Sequence, residues 1–340
     1  MTMTTTTHAT PRAADDSRVT YRRYRGPEDL PGMAEANQRL RSRCGQLEPT
    51  DLTAMQHRYA HLVNSDPLVD CLIAVLDDRT VGYARVEWHD LTDGDRRYDE
   101  TVVVEPAAWG HGVGEALIRW SEARNREVAS TVPTDRRAWF MTYVFDGDEE
   151  LDSAVRALGY EAVRWDAEML RPTMDNLPTV PALPTGYEIR PVRPEDMPAV
   201  VAMTVEAFRE HWGETEETED ELADWIENPR FDIDLLSVVW HGDEPASVVS
   251  VEVQDYHDGA PIACVDGVAT HPGHRRLGLA RAALADALHR IDARGLPRAY
   301  LGVDTDNHNR AFALYEDAGF RKVSGTTAWR KAFDDEELLP

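Results

Sequence analysis

One stretch of the sequence combines glycine and arginine residues in a pattern that could hold a phosphate group. An apolar segment that we predict as a strand, 262–270, runs into His271-Pro-Gly-His-Arg-Arg-Leu-Gly-Leu-Ala280, which opens a predicted helix. A glycine-containing turn at the start of a helix directs several backbone N–H groups to one place, beside the positive end of the helix dipole. Arg275, Arg276 and Arg281 add positive charge. The pattern suits a pyrophosphate, although an ordinary strand-to-helix turn would also satisfy it.

Two common nucleotide-binding loops are excluded by single residues. A P-loop requires Gly-Lys-Ser/Thr, and the two lysines of the chain, Lys322 and Lys331, do not stand in such a motif. The dinucleotide-binding spacing Gly-x-Gly-x-x-Gly is also absent, because Gly112 and Gly114 are followed by Leu117 where the third glycine is required. A phosphate loop in this chain would therefore be of another type.

Cysteine and histidine residues do not form a metal-binding pattern. Cys44, Cys71 and Cys264 are too few and too scattered for a disulfide framework or a cysteine-based zinc site. His271 and His274 have no acidic or cysteine partner nearby in the sequence, so we predict no metal site. Cysteine usage of this kind is typical of a reducing cytoplasm, where we expect the protein to be located.

The charge of the chain limits its partners. Its 340 residues include 62 Asp plus Glu against 36 Lys plus Arg, a formal net charge of −26. Nucleic acid and anionic membranes require local positive potential, so neither is an expected partner. No run approaches the roughly 20 apolar residues of a membrane-spanning helix. An anionic ligand would depend on a small local cluster of donors, whereas a cationic acceptor would be attracted at low ionic strength.

The chain contains two related halves. At about 150 residues per domain, its length predicts two domains. Three landmarks recur in the same order at offsets of 167, 166 and 160 residues: Pro27-Glu28-Asp29 with Pro194-Glu195-Asp196, Gly112 with Gly278, and Gly159 with Gly319. Matches in one order and at nearly one spacing indicate a tandem duplication.

The elements that position the loop follow from this duplication. Prolines at 178, 181 and 184 favour an extended spacer. We predict a disordered N-terminus at 1–17, an N-terminal domain at 18–172, a linker at 173–184 and a C-terminal domain at 185–340. In each half, antiparallel strands precede a strand–helix–strand crossover, which predicts an α/β fold with a mixed sheet flanked by helices. The helix after the loop is predicted at 279–293, where apolar residues recur at helical spacing.

Two motifs of the second half resemble those of the GNAT superfamily of N-acetyltransferases. Arg275-x-x-Gly278-x-Ala280 is similar to the Gln/Arg-x-x-Gly-x-Gly/Ala loop that cradles the pyrophosphate of acetyl-CoA in that superfamily. About thirty residues later, the segment 307–320 resembles its Asn-x-x-x-Ala-x-x-Leu-Tyr-Glu-x-x-Gly-Phe helix. The resemblance covers essentially all of 185–333 and implies two tandem GNAT-like acyl-CoA N-acyltransferase domains. The tandem layout is similar to that of two-domain acetyltransferases of the mycothiol synthase type.

The resemblance also implies where acetyl-CoA binds. The backbone of Val268 and Ala269 would contact the pantetheine arm and the thioester carbonyl. The pyrophosphate would be held by the loop and its surroundings: Arg275, Arg276, Leu277, Gly278, Leu279, Ala280, Arg281 and Asn307. Gly112 and Gly114 survive in the first half, so that domain would retain part of a CoA site.

The resemblance assigns catalysis to the second half. In the superfamily, the tyrosine of the Leu-Tyr-Glu helix commonly protonates the leaving thiolate, and that position is Tyr315 here. An aromatic residue that only packs its helix is the alternative for Tyr315. The first half has Val155 at the matching position and Trp109 in place of Arg275, so we predict a degenerate N-terminal domain.

The general base has no exact counterpart of the superfamily's glutamate in this sequence. The superfamily often places a glutamate eleven residues before the first residue of the loop, and Cys264 occupies that position here. Asp266 lies two residues later, on the same face of the strand, and a carboxylate there would have a raised pKa if buried. Asp266 is therefore a candidate base. A structural strand-end aspartate, with the base elsewhere or a water in that role, is the alternative.

The acceptor cleft of the superfamily is lined by the first two helices of the domain. The corresponding candidates for substrate binding are Glu210, His211 and Trp212. The acidic run at 214–222 could attract a cationic amine, but its residues also fit the capping box and first turn of a helix.

We therefore expect direct transfer of an acetyl group from acetyl-CoA to the primary amine of a small molecule. The alternatives are a protein or peptide N-terminal or lysine acetyltransferase, and an acyl-CoA-binding regulatory module without turnover. The oligomeric state is open.

Overall fold

The computed structural model describes residues 18–209, 212–213, 230–255, 260–305 and 311–333. The chain divides into two compact units. Among the described residues, the first unit comprises 18–46, 50–164 and 326–333, and the second unit takes 47–49 and the described parts of 165–325. The predicted disordered N-terminus and the acidic run at 214–222 lie outside the described residues.

The first unit is a mixed sheet with helices. Its strands are β1 (Val19–Arg23), β2 (Cys71–Leu76), β3 (Arg79–Asp90), β4 (Arg96–Val104) and β5 (Ala138–Phe145). Its helices are α1 (Leu30–Arg43), α2 (Leu52–Ala60), α3 (Pro67–Asp70), α4 (Val113–Thr131) and α5 (Glu149–Ala157). The strands neighbour one another in numerical order, with β4 and β5 parallel and the other pairs antiparallel. The helix α4 thus forms the crossover between parallel strands.

The second unit repeats this architecture. Its strands are β6 (Glu161–Arg171, from residue 165 onward), β7 (Tyr187–Ile189), β8 (Ser237–His241), β9 (Glu244–Asp255), β10 (Pro261–Thr270) and β11 (Ala299–Asp304). Its helices in the described part of the chain are α6 (Met197–Phe208), α7 (Leu279–Ala293) and α8 (Ala311–Asp317). The order across the sheet is β6-β11-β10-β9-β8-β7, and only β10 and β11 are parallel. The predicted α/β class with a mixed sheet in each half is confirmed.

Each sheet is completed by a strand from the other half of the sequence. Residues 166–171 pair antiparallel with β11 and so belong to the second unit. The last strand, β12 (Arg321–Ala332), pairs antiparallel with β5 from residue 326 onward and so belongs to the first unit. The units therefore differ from the consecutive segments 18–172 and 185–340, because strand pairing places these two stretches in the unit opposite to their sequence position.

The helix α7 shows how local sequence sets an element of the site. It begins directly after Gly278 and is followed by Gly295, and both glycines have left-handed backbone, with φ of +78° and +79°. Its apolar face, Leu284, Leu288 and Ile291, is almost completely buried in the core of the second unit. The predicted helix at 279–293 is confirmed. Within the described residues, no helix is both long and apolar enough to span a membrane.

Candidate active site

The loop between β10 and α7 presents free backbone N–H groups. After a short turn, the backbone is left-handed at Arg276 (φ +65°) and again at Gly278, and no side chain caps α7 among the described residues. The first intrahelical bond runs from the N–H of Ala282 to the carbonyl of Gly278. The N–H groups of residues 279–281 therefore precede the helical bonding pattern and lie at the positive end of the helix dipole. This arrangement is suited to an anion.

The three arginines of the loop have different surroundings. The Arg275 guanidinium donates to the carbonyls of Thr270 (3.3 Å) and Ala207 (3.2 Å), so it braces the loop against the ends of β10 and α6. Arg281 is exposed and pairs with Asp317 at 2.8 Å. Arg276 is also exposed, and no ion pair of its side chain occurs among the described residues. Of the three, Arg276 is the most available to a ligand.

The strands before the loop separate from each other. Strand β10 pairs with β11 only at Ala263 and Cys264, and it has a bulge between Val265 and Gly267. Beyond the bulge it continues to pair with β9, so its edge towards β11 has no strand partner in the described part of the unit. Val268 and Ala269 lie on this open stretch. A bulge that ends pairing beside a helix-opening loop leaves backbone groups available to an extended ligand.

Asp266 is the residue inserted at the bulge. Its side chain is exposed to solvent, but desolvation by the protein atoms near the carboxylate, followed by the charge of Glu252, raises the pKa of Asp266 to about 6. Burial also raises the pKa of the neighbouring Cys264 thiol to about 12, so this thiol is neutral near pH 7 and fits a packing role. Asp266 thus has the pKa of a base that is ionised near neutral pH.

Tyr315 lies on α8, which an ion pair joins to the loop. The pair of Arg281 and Asp317 links the first turn of α7 to the end of α8. Tyr315 belongs to the same core cluster as Leu279, and Val268 packs against that cluster. Its ring packs edge-on against the ring of Phe320, with the two ring centroids 6.2 Å apart. Burial raises the pKa of Tyr315 to about 12. The structure therefore joins Tyr315, the loop and the separated strands in one core.

Three predicted site residues, Glu210, His211 and Asn307, lie outside the described residues. Trp212 is described as half-buried in a turn. His274, which lies in the turn after β10, makes a hydrogen bond through its Nδ1 with the Tyr187 hydroxyl at 2.8 Å.

The first unit has a loop of the same type, but a side chain of that unit accepts hydrogen bonds from its N–H groups. Gly112 has left-handed backbone (φ +69°) and precedes α4, as Gly278 precedes α7. However, the N–H groups of Gly110 and Gly114 donate to the two carboxylate oxygens of Glu150, at 2.8 and 3.1 Å. Val155, at the position that matches Tyr315, is completely buried. Glu150 was not predicted as a site residue, although aligning the halves on Gly159 shows an acidic residue where the second half has a basic one.

One group of possible metal ligands occurs among the described residues. Side-chain atoms of Glu87, His89 and Asp99 lie within 4.8 Å of one another in the first unit. Arg85 pairs with Glu87, and Arg97 pairs with Asp99. Because both carboxylates are already paired with arginines, the group is best described as an ion-pair network on β3 and β4.

The chain is similar in sequence to a known family of acetyltransferases. A model of the Acetyltransferase (GNAT) family matches the chain twice, over residues 34–139 and 197–320. The mycothiol acetyltransferase of Streptomyces scabiei is 30% identical over 250 residues, covering 73% of this chain and 75% of the relative. That of Catenulispora acidiphila is 30% identical over 254 residues, covering 73% and 76%.

Solved structures show the same fold over nearly the whole chain. A GCN5-related N-acetyltransferase from Sphaerobacter thermophilus has a TM-score of 0.74 at 20% identity and covers 94% of this chain and 96% of its own. A tandem GNAT protein from the clavulanic acid biosynthesis pathway has a TM-score of 0.67 at 16% identity, with 93% and 99% coverage. The chain therefore belongs to the GNAT family of acetyltransferases, which are acetyl-CoA-dependent N-acyltransferases, and it is of the tandem two-domain type.

Proposed function

We propose that the second unit transfers an acetyl group from acetyl-CoA to the primary amine of a small molecule. The observation that carries this proposal is the uncapped start of α7, which follows the separated strands and is joined by Arg281 and Asp317 to the helix of Tyr315. The first unit has neither free N–H groups at Gly110 and Gly114 nor a tyrosine at position 155.

The residues of the second unit fit acetyl-CoA. The N–H groups at the start of α7, with Arg276, would hold the pyrophosphate, and the open edge at Val268 and Ala269 would hold the pantetheine amides. When bound there, acetyl-CoA supplies a thioester whose acetyl group can be transferred. Gly278 keeps the backbone turn that exposes these N–H groups. The second unit would thus balance the negative charge of the pyrophosphate and align the thioester along the open strand edge.

Two side chains would move the protons. The Asp266 carboxylate accepts a proton from the incoming ammonium, directly or through a water, so that the amine can attack the acetyl carbon. The Tyr315 hydroxyl donates a proton to the sulfur as the C–S bond breaks, and the tyrosinate so formed takes up the second proton of the amine nitrogen, directly or through a water. The new C–N bond replaces the C–S bond, so the acetyl group passes to the amine without a covalent intermediate on the protein. Aligning both reactants supplies part of the rate enhancement.

The acceptor is proposed from charge and from the relatives. The net charge of −26 favours approach of a cationic amine. The relatives at 30% identity are named mycothiol acetyltransferases, so the amine precursor of mycothiol is the first acceptor to test. Trp212, with Glu210 and His211 beside it in the sequence, is the proposed acceptor region.

Acetyl transfer to a panel of amines tests the proposal. The intact chain is incubated with isotopically labelled acetyl-CoA and, separately, with the mycothiol precursor, simple primary amines, peptides with free N-termini and lysine peptides. We expect a labelled N-acetyl product from a small amine, with one CoA released per acetyl group, by mass spectrometry. Transfer only to peptides would replace the small-molecule acceptor with a protein acceptor. Binding of acetyl-CoA with no transfer to any amine would contradict the catalytic proposal.

A further inference from the structure

The phosphate loop of the first unit is occupied by a side chain of the same unit. Both carboxylate oxygens of Glu150 accept backbone hydrogen bonds, one from Gly110 at 2.8 Å and one from Gly114 at 3.1 Å. A Cβ on Gly114 would lie 3.1 Å from Cγ of Glu150, so the side chain packs closely against the loop. A carboxylate in this position takes the hydrogen bonds that a phosphate would take at a helix N-terminus.

The position of Glu150 is fixed by its own helix. Asp148 caps α5 by accepting a hydrogen bond from the N–H of Leu151, and Glu150 lies in the first turn of α5. Helix capping holds this turn in place. The carboxylate is therefore presented to the loop from an ordered element, as a built-in anion.

The second unit differs at the same aligned positions. At the offset of 160 residues that relates Gly159 to Gly319, Glu150 aligns with Arg310, which lies outside the described residues, so this comparison is one of sequence. The N–H groups that align with those of Gly110 and Gly114 belong to Arg276 and Ala280, in the loop whose helix has no side-chain cap. At this aligned sequence position, the first half thus has an acidic residue and the second half a basic one.

The loop of the first unit also lacks the arginines of the second loop, which further disfavours the binding of a phosphate. At the offset of 166 residues, the loop of the first unit replaces three basic side chains: Arg275 by Trp109, Arg276 by Gly110 and Arg281 by Glu115. A pyrophosphate at this loop would meet the charge of Glu150 without a compensating arginine from the loop, whereas Glu115 is paired with Arg119 of α4 at 2.8 Å. Like charges at such short range oppose binding.

We propose that Glu150 substitutes for the pyrophosphate in the first unit and keeps that loop from binding acetyl-CoA, so that each chain carries one acetyl-CoA site. The identity of the ligand rests on the proposed function, but the closure of the loop by Glu150 does not. The loop of the first unit then stays closed to acetyl-CoA, and only the second unit binds it.

Calorimetric titration of the intact chain with acetyl-CoA gives the first test. We expect one site per chain, and we expect Arg276→Glu in the second unit to abolish it. Two sites in the unmodified chain would overturn the inference. No binding at all would contradict the proposed function but would leave the closure of the first loop to be decided by the second test.

The second test removes the built-in anion. In the Arg276→Glu chain, Glu150→Ala is expected to raise the affinity of the first loop for acetyl-CoA about tenfold or more. The substitution removes the two carboxylate oxygens that now accept from Gly110 and Gly114, so that these N–H groups become available to a phosphate. The backbone amide signals of Gly110 and Gly114 report this binding directly in NMR spectra. Glu149→Ala is the matched control, since it removes the same charge from an exposed neighbour whose carboxylate lies 3.5 Å from Arg43.

The outcomes of the second test are distinct. Movement of both glycine amides on addition of acetyl-CoA in Glu150→Ala, and not in Glu149→Ala, supports the inference. Glu150→Gln, which keeps the shape of the side chain, should give the same result more weakly and guards against loss of folding. Movement in the chain that retains Glu150, or no movement in either Glu150 variant, would overturn it.

Discussion

Replacing Tyr315 by phenylalanine separates a catalytic role from a packing role. The ring is 7% exposed and contacts Phe320 in the core of the second unit. Among the described residues, no hydrogen bond to the Tyr315 hydroxyl occurs. Phenylalanine therefore keeps the ring contacts and removes only a hydroxyl that the described fold does not use.

The two roles predict different magnitudes. Because no hydrogen bond is lost, the free energy of unfolding should change by less than about 0.5 kcal/mol. If the hydroxyl protonates the leaving sulfur, kcat should fall by roughly 10²–10⁴-fold, which corresponds to about 2.7–5.5 kcal/mol in activation free energy. Tyr315→Ala would, in contrast, leave a cavity and cost about 3–5 kcal/mol of stability.

The assay measures steady-state acetyl transfer and chemical denaturation on the same preparations. Tyr83→Phe changes a buried tyrosine of the first unit and is the matched control, with kcat expected to be unchanged. Because the pKa of Tyr315 is raised to about 12, it stays protonated up to about pH 11, and it should cause no alkaline fall in rate below that pH. A Tyr315→Phe enzyme with kcat within about threefold of the unmodified chain would refute the acid role and leave Tyr315 as a packing residue.

Three further outcomes follow from the structure. The rate should rise with pH around a midpoint near 6, where Asp266 loses its proton, and Asp266→Asn should lower kcat/KM about 10²–10³-fold at pH 7.5 and remove this limb; an unchanged pH profile would place the base elsewhere. Gly278→Val, which forces a β-branched residue into left-handed backbone, should raise the KM for acetyl-CoA at least about tenfold while circular dichroism stays unchanged. Although burial of Asp29 opposes it, hydrogen bonding from Arg22 and Arg25 lowers the pKa of Asp29 to about 2. Asp29 should therefore contribute roughly 2 kcal/mol of stability above pH 4, and this contribution should be lost as the pH falls towards 2. Comparing the chemical denaturation of Asp29→Asn with that of the unmodified chain above pH 4 and near pH 2 checks this.

Local signals predicted the loop and its helix well. Helix α7 has the predicted bounds because Gly278 and Gly295 permit left-handed backbone at its two ends, and its apolar spacing matches the buried face. The alignment of Gly112 with Gly278 likewise predicted a matching helix start in the first unit. Such features depend on a few neighbouring residues, which the sequence displays directly.

Features that depend on distant residues were not predicted. Residues of β6 belong to the second unit and residues of β12 to the first because each pairs with a strand more than a hundred residues away. The sequence of neither strand indicates which strand it pairs with. The bracing of the loop by Arg275 depends on the end of α6, a contact that its motif does not encode. Glu150 is the instructive case, because its acidic character was visible in the aligned halves, but its reach to the loop was not.

The structure of the chain with acetyl-CoA bound would test whether the second unit alone is the catalytic unit. We expect one molecule of acetyl-CoA per chain, with its pyrophosphate at the N–H groups that follow Gly278 and its sulfur within hydrogen-bonding distance of the Tyr315 hydroxyl. In the same structure, Glu150 should still accept hydrogen bonds from Gly110 and Gly114. Acetyl-CoA at the first loop, or a thioester out of reach of Tyr315, would contradict this assignment.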